Sequence, residues 1–155
     1  MDYKRILVAV RGANDPPPAF LRAMALAGRS RAKLLLVHCM AQKTVAELED
    51  RVGVFSEMEQ SQALRQRNHL REHEAEHLRA WLESYCERAR KEGIEAEPVV
   101  EVGNAGEQVV EIAKHWEADL VVIHRSRRSG FMERLLGSVS DYVIHRAPCS
   151  VLLVR

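Results

Sequence analysis

Four arginines, Arg125, Arg127, Arg128 and Arg134, crowd the stretch between the apolar run 120–123 and Gly137-Ser138. A guanidinium group binds phosphate through paired, parallel hydrogen bonds, so arginines gathered on one loop point to anion chemistry. The context agrees, because an apolar strand feeding a loop and then a helix N-terminus is where α/β proteins hold phosphates. Such loops are usually rich in glycine, whereas this one is basic. Gly137-Ser138 opens the helix that follows, with Ser138 as its cap and Val139 in its first turn. A phosphate at that helix end would also meet the Ser138 hydroxyl. Gly130 reads as a turn within the loop.

His73-Glu-Ala-Glu-His77 matches H-E-x-x-H, in which two histidines one helical turn apart ligate zinc and the glutamate acts as general base. Its surroundings oppose that chemistry. On a helical wheel the apolar stripe of this segment centres near Leu78, Tyr85 and Ala89, and His73 lies roughly 140° from it at about 100° per residue. Arg71, Glu72, Glu74 and Glu76 flank it, as on a solvated face. A catalytic zinc helix lines a cleft and needs a third ligand. Metalloprotease activity is therefore rejected, and incidental metal binding by His69, His73 and His77 is the most that the spacing supports.

The other chemistry-bearing residues read as structural. His38 closes an apolar run and is expected to pack, with its polar groups satisfied, near a cleft. Trp81 and Trp116 are expected to pack helices. Cys39, Cys86 and Cys149 are odd in number and lack CxxC spacing, which fits buried, reduced thiols rather than a metal site. No spacing supports a Ser-His-Asp or Cys-His arrangement. Glu133 is expected to be solvated and Asp141 to support the first turn of its helix. No catalytic residue and no metal site are assigned, and the chain is read as no enzyme.

Five short, strongly apolar runs must position these groups: 6–10, 33–39, 98–102, 119–123 and 150–154. Runs this short and this apolar suit strands buried on both faces of a parallel sheet. Helical patterns lie between them. Asp15 can cap a helix starting at Pro16, with Phe20, Met24 and Ala27 on its inner face. Asn104-Ala-Gly-Glu107 resembles a capping box ahead of Val109, Val110, Ile112, Ala113 and Trp116. Ser138 precedes Val139, Val143 and Ile144. Residues 63–92 read as one long helix ending before Gly93, and 41–62 as a loop or partly ordered connection. This alternation predicts a doubly wound, five-stranded parallel sheet of Rossmann-like α/β class, in a single domain over 1–155. Its ligand cleft would lie beyond the strand C-termini, near Arg11-Gly12, Cys39-Met40 and the loop from His124 onward.

Composition narrows the partners. Lysine plus arginine number 23 against 22 acidic residues, and a net charge of +1 opposes a dedicated nucleic-acid binder. No apolar run approaches the roughly 20 residues that span a bilayer, and the N-terminus lacks a cleavable leader pattern. A cytoplasmic location, with no membrane partner, is expected.

With the elements placed, the chain resembles the universal stress protein family over essentially its whole length. Ile6-Leu-Val-Ala-Val10 and Leu35-Leu-Val-His-Cys39 look like the family's first two strands. Val102-Gly-Asn-Ala-Gly106, Ala118-Asp-Leu-Val-Val-Ile123, Leu135-Leu-Gly-Ser-Val-Ser140 and Pro148-Cys-Ser-Val-Leu-Leu-Val154 look like its C-terminal half. Nucleotide-binding members carry G-x2-G-x9-G-[ST] after the fourth strand, and the resemblance implies that its backbone holds the phosphates and ribose of ATP. Aligned on Gly137-Ser138, His124 stands at the first glycine and Arg127 at the second. Those members also carry an acidic residue just after the first strand, near the adenosine, where this chain has Arg11.

Glycine lets a ligand approach the main chain, and a side chain at such a position occupies the space of the phosphate. A retained left-handed backbone there would cost about 1–3 kcal/mol per residue. The nucleotide- or anion-binding candidates are thus Arg11, Cys39, His124, Arg127, Gly137, Ser138 and Val139. Two functions follow from the resemblance. One is a non-enzymatic stress-response or signalling module with weak or no ATP binding, acting as a homodimer paired through its C-terminal strand and with undefined protein partners. The other is a sensor that holds ATP, AMP or another phosphate ligand at a remodelled Arg-rich site.

Overall fold

Leucines and β-branched residues alternate between the two faces of one parallel sheet and bury both. The computed structural model describes residues 2–11, 16–42, 57–125 and 138–155. Along the chain run β1 (Arg5–Ala9), α1 (Pro18–Ser30), β2 (Lys33–Met40), α2 (Glu57–Lys91), β3 (Ala96–Val102), α3 (Ala105–His115), β4 (Leu120–His124), α4 (Ser138–Arg146) and β5 (Ser150–Val154). The strands pair in parallel in the order β3-β2-β1-β4-β5. The expected doubly wound, five-stranded sheet is therefore the observed one.

Strand alternation sorts the core into two layers. Ile6, Val8, Leu34, Leu36, Leu120 and Val122 face α1 and α2, meeting Phe20, Ala23, Ala27, Leu82, Tyr85, Cys86 and Ala89. Leu7, Leu35, Val37, Val121 and Ile123 face α3 and α4, meeting Val109, Val110, Ala113 and Val143. Each fully buried Val, Leu, Ile or Phe contributes about 1.5–3 kcal/mol, so this double layer dominates the stability. Trp81 and Trp116 pack at the margins of the two layers, as expected of helix-packing residues.

Three helices stop the same way. Ile94 N donates to Ala89 O and Gly93 N to Arg90 O, both characteristic of a Schellman motif, and Gly93 takes φ +78°. The end of α1 repeats the longer bond from Ala32 N to Ala27 O with Arg31 at φ 56°, and the end of α3 repeats it from Ala118 N to Ala113 O with Glu117 at φ 53°. Asn104 Oδ1 accepts from Glu107 N at 3.2 Å, the expected cap of α3.

Several boundaries differ from the sequence reading. Helix α1 begins at Pro18, not Pro16, with Pro17 as an N-cap that makes no side-chain bond; Asp15 lies outside the described residues. Two successive prolines need no N–H partner at a helix start, so a side-chain cap is dispensable. Helix α2 begins at Glu57, so residues 57–62, expected in a loop, are helical. The polar, nearly all-exposed start of α2 has no apolar period to reveal it. In α4, Ser140 and Val143 are buried at 4% and 0% exposure while Ile144 is 40% exposed, so the inner face is rotated from the one expected. The strands themselves shift by one or two residues: β2 runs on to Met40, β3 starts at Ala96, and β4 spans Leu120–His124.

Candidate functional site

Doubly wound order makes β1 and β4 neighbours whose following connections leave in opposite directions, and a cleft opens beyond their C-terminal ends. Its volume is about 660 Å³, within the range of small-molecule sites. Ala9, Val10 and Arg11 line it from β1, Val37, His38, Cys39, Ala41 and Gln42 from β2, and Ile123 and His124 from β4. Gly103, Asn104, Ala105 and Val109 close it from the β3–α3 turn, and Val139 and Ser140 from α4. Its walls are mostly apolar.

Its polar groups differ in how free they are. His38 Nδ1 donates to Val10 O at 2.9 Å, and its ring stands edge-on to Trp81 with centroids 5.8 Å apart. That imidazole is satisfied, as the sequence reading expects. Val10 N is bonded to Val37 O at 2.8 Å and Gly103 N to Met40 O at 2.9 Å, so these backbone donors are committed. Cys39 Sγ lies 4.0 Å from Ala105 O, and burial, then the nearby Glu101 carboxylate, push its thiol up to about 11. Cys39 is thus a neutral, weakly nucleophilic wall residue. All three cysteines are free; Cys86 is buried, whereas Cys39 and Cys149 are half-buried, short of the full burial expected.

Arg11 and His124 are available to a ligand. Arg11 is exposed at the mouth. His124 Nδ1 is buried without a hydrogen-bond partner among the described residues. A buried polar atom left unpaired costs about 1–3 kcal/mol, which a ligand atom at the cleft would recover. No carboxylate lines the cleft among the described residues.

The model of the universal stress protein family matches residues 2–155. The chain belongs to that family. A universal stress protein of Synechocystis sp. is 34% identical over 155 residues, covering 100% of this chain and 99% of the relative. The solved structure of the universal stress protein UspA from Lactobacillus plantarum has a TM-score of 0.75 at 21% identity, covering 100% of this chain and 99% of that one. A universal stress protein solved in complex with cAMP has a TM-score of 0.65 at 24% identity, covering 100% and 98%.

Four of the seven candidates, Arg11, Cys39, His124 and Val139, come together in the cleft of this universal stress protein. Arg127 and Gly137 lie outside the described residues, as do Gly12, Gly130 and Glu133. Helix α4 starts at Ser138, the residue expected to open it. Met40 does not join Cys39 at the cleft; it is 8% exposed. The sequence reading missed the β3–α3 turn, Gly103 to Ala105. Its signal is present in the sequence, because in a parallel sheet every strand ends on the same side and Asn104 reads as a cap from its spacing to Glu107.

Proposed function

We propose that this universal stress protein is a non-enzymatic stress-response or signalling module of one domain, which works as a homodimer and holds ATP weakly or not at all. The mouth of the cleft carries this reading: an exposed arginine, Arg11, and an imidazole, His124, stand where the family resemblance calls for an acidic residue and a glycine. The neutral Cys39 thiol and the committed His38 support it further.

The dimer is supported by the contrast between the two edges of the sheet. Edge strand β3 carries Pro98, Glu97 and Glu101, devices that discourage pairing. Edge strand β5 reads Ser-Val-Leu-Leu-Val and has none of them. No strand lies beyond β5 among the described residues. Among those residues no helix is long and apolar enough to cross a membrane.

One observation favours the sensor reading instead. The cleft is open at about 660 Å³ and its His124 nitrogen is unpaired. A nucleoside monophosphate such as AMP fits that volume and supplies an anion for Arg11. Calorimetric titration of ATP and AMP into the purified protein separates the two. Absence of heat at millimolar nucleotide supports the first reading; tight AMP binding that is lost in Arg11→Ala replaces it with the second.

A further inference from the structure

The geometry points to a surface transition-metal site on α2, built by His69 and His73 and taking a divalent first-row cation of borderline softness such as Zn²⁺ or Cu²⁺. It lies outside the cleft and does not rest on the function proposed for it. His69 and His73 are four residues apart, on the same face of the helix one turn from each other. Their Nε2 atoms approach to 3.1 Å, with ring centroids 4.5 Å apart and planes at 85°. Metal–imidazole bonds of about 2.0–2.1 Å to two nitrogens that close subtend roughly 100° at the metal, between octahedral and tetrahedral values. The two nitrogens therefore already stand at the bite distance of a chelating pair.

A second observation concerns the other side of His73. The Glu76 carboxylate lies 3.8 Å from His73 Nδ1. That distance is too long for a hydrogen bond, so Glu76 contributes a negative charge beside the pair, which favours a cation there. At the 3.1 Å separation of the two histidines one Nε2–H donates to the other Nε2. A cation takes the place of that shared proton, which moves to the Nδ1 of the ring that carries it, and small ring rotations turn both Nε2 lone pairs to the metal. Imidazole pairs favour copper, nickel and zinc over magnesium or calcium.

This pair is not the one that the H-E-x-x-H pattern names. That pattern joins His73 to His77, whereas the structure joins His73 to His69, one turn earlier, and His77 has no hydrogen-bond or ring partner among the described residues. Among the same residues no third His, Cys, Asp or Glu converges on the pair. Water completes the coordination shell, and the metal keeps open positions on the solvated side of the helix.

The test is calorimetric titration of Zn²⁺ and Cu²⁺ salts into the tag-free, full-length protein and its variants. One site is expected, weakened at least tenfold in His69→Ala and in His73→Ala and by less in Glu76→Gln. His77→Ala is expected to bind within twofold of the parent. These residues are exposed, so thermal melts of the variants should match the parent in the absence of metal. Loss of binding in His77→Ala but not in His69→Ala would move the site to the other pair and overturn the assignment. Equal binding in all variants, or none below millimolar metal, means an adventitious ion only and overturns it too.

Discussion

Arg11 and His124 both line the cleft, from the C-terminal ends of β1 and β4. Arg11 stands past the last ladder pair of β1, and His124 is the last residue of β4, paired with Val154, so a side chain at either position meets the cleft and leaves the sheet intact. If they weaken ATP binding, together with Arg127, then the triple variant Arg11→Asp/His124→Gly/Arg127→Gly should bind ATP at least tenfold more tightly than the parent, about 1.4 kcal/mol or more. Titration calorimetry reads this directly, and an unchanged affinity would reject the idea that these positions set it. The thiols give a second prediction at this scale. Burial, then Glu101, holds Cys39 near 11, and burial, then Glu83, holds Cys86 near 12. In the unfolded chain thiols titrate near about 8.5. Their contribution to stability is therefore complete below that value and is lost as pH rises through the folded values, because the unfolded state sheds its protons first. Denaturant midpoints should fall between neutral pH and about pH 11. The fall should be smaller in Cys86→Ala, measured against its own value at neutral pH. An identical fall in parent and variant would show that Cys86 plays no part.

The elements tell how much of this architecture local chemistry dictates. The strands were legible because each is a short, continuous apolar run, and five of them alternating with helical patterns leave little choice but a doubly wound sheet. The cleft was legible for the same reason, since topology alone places strand C-termini together. The start of α2 was not, because residues 57–62 bury nothing and their pattern carries no period. The pairing of His69 with His73 was also hidden, because i, i+4 spacing links His73 equally to His77 and only geometry distinguishes them. Helix ends carry a further prediction. Arg31 ends α1 in the left-handed conformation at φ 56°, which costs an ordinary residue about 1 kcal/mol more than glycine. Arg31→Gly should therefore raise stability by up to about 1 kcal/mol in denaturant unfolding, and a loss of stability would show that its side chain matters more than its backbone. Gly106 presents the opposite case. A Cβ there would meet Tyr142 Cβ at 3.0 Å, so the crossing of α3 and α4 depends on the missing side chain. Tyr142 Cβ is fixed to its own helix and cannot swing away. Gly106→Ala should destabilise despite alanine's helix propensity, by about 1 kcal/mol once overpacking is set against that gain.

At the scale of the whole molecule, the two edges of the sheet are built for different fates. Gly103 N donates to Met40 O and Leu34 N to Glu95 O, so alternate residues Glu97, Val99 and Glu101 turn their backbone groups toward β2. Ala96, Pro98 and Val100 turn theirs outward, and Pro98 removes a donor from that edge where no ladder bond is lost. At the opposite edge Arg125 N donates to Val154 O at 2.7 Å, which turns Val154, Leu152 and Ser150 toward β4. Val151 and Leu153 therefore point their N–H and C=O groups outward, with no charge or proline to blunt them. Such an edge recruits another strand, and a second copy of β5 in antiparallel register would satisfy the same donors and acceptors on both chains by two-fold symmetry. The expected outcome is a dimer in sedimentation at micromolar concentration. Leu153→Pro should convert it to a folded monomer, because the lost donor faces outward. Leu152→Pro, which cuts a bond to β4, should instead lower the melting temperature. If the parent sediments as a monomer, or if Leu153→Pro remains dimeric, the interface lies on some other face and the bare edge of β5 needs a different explanation.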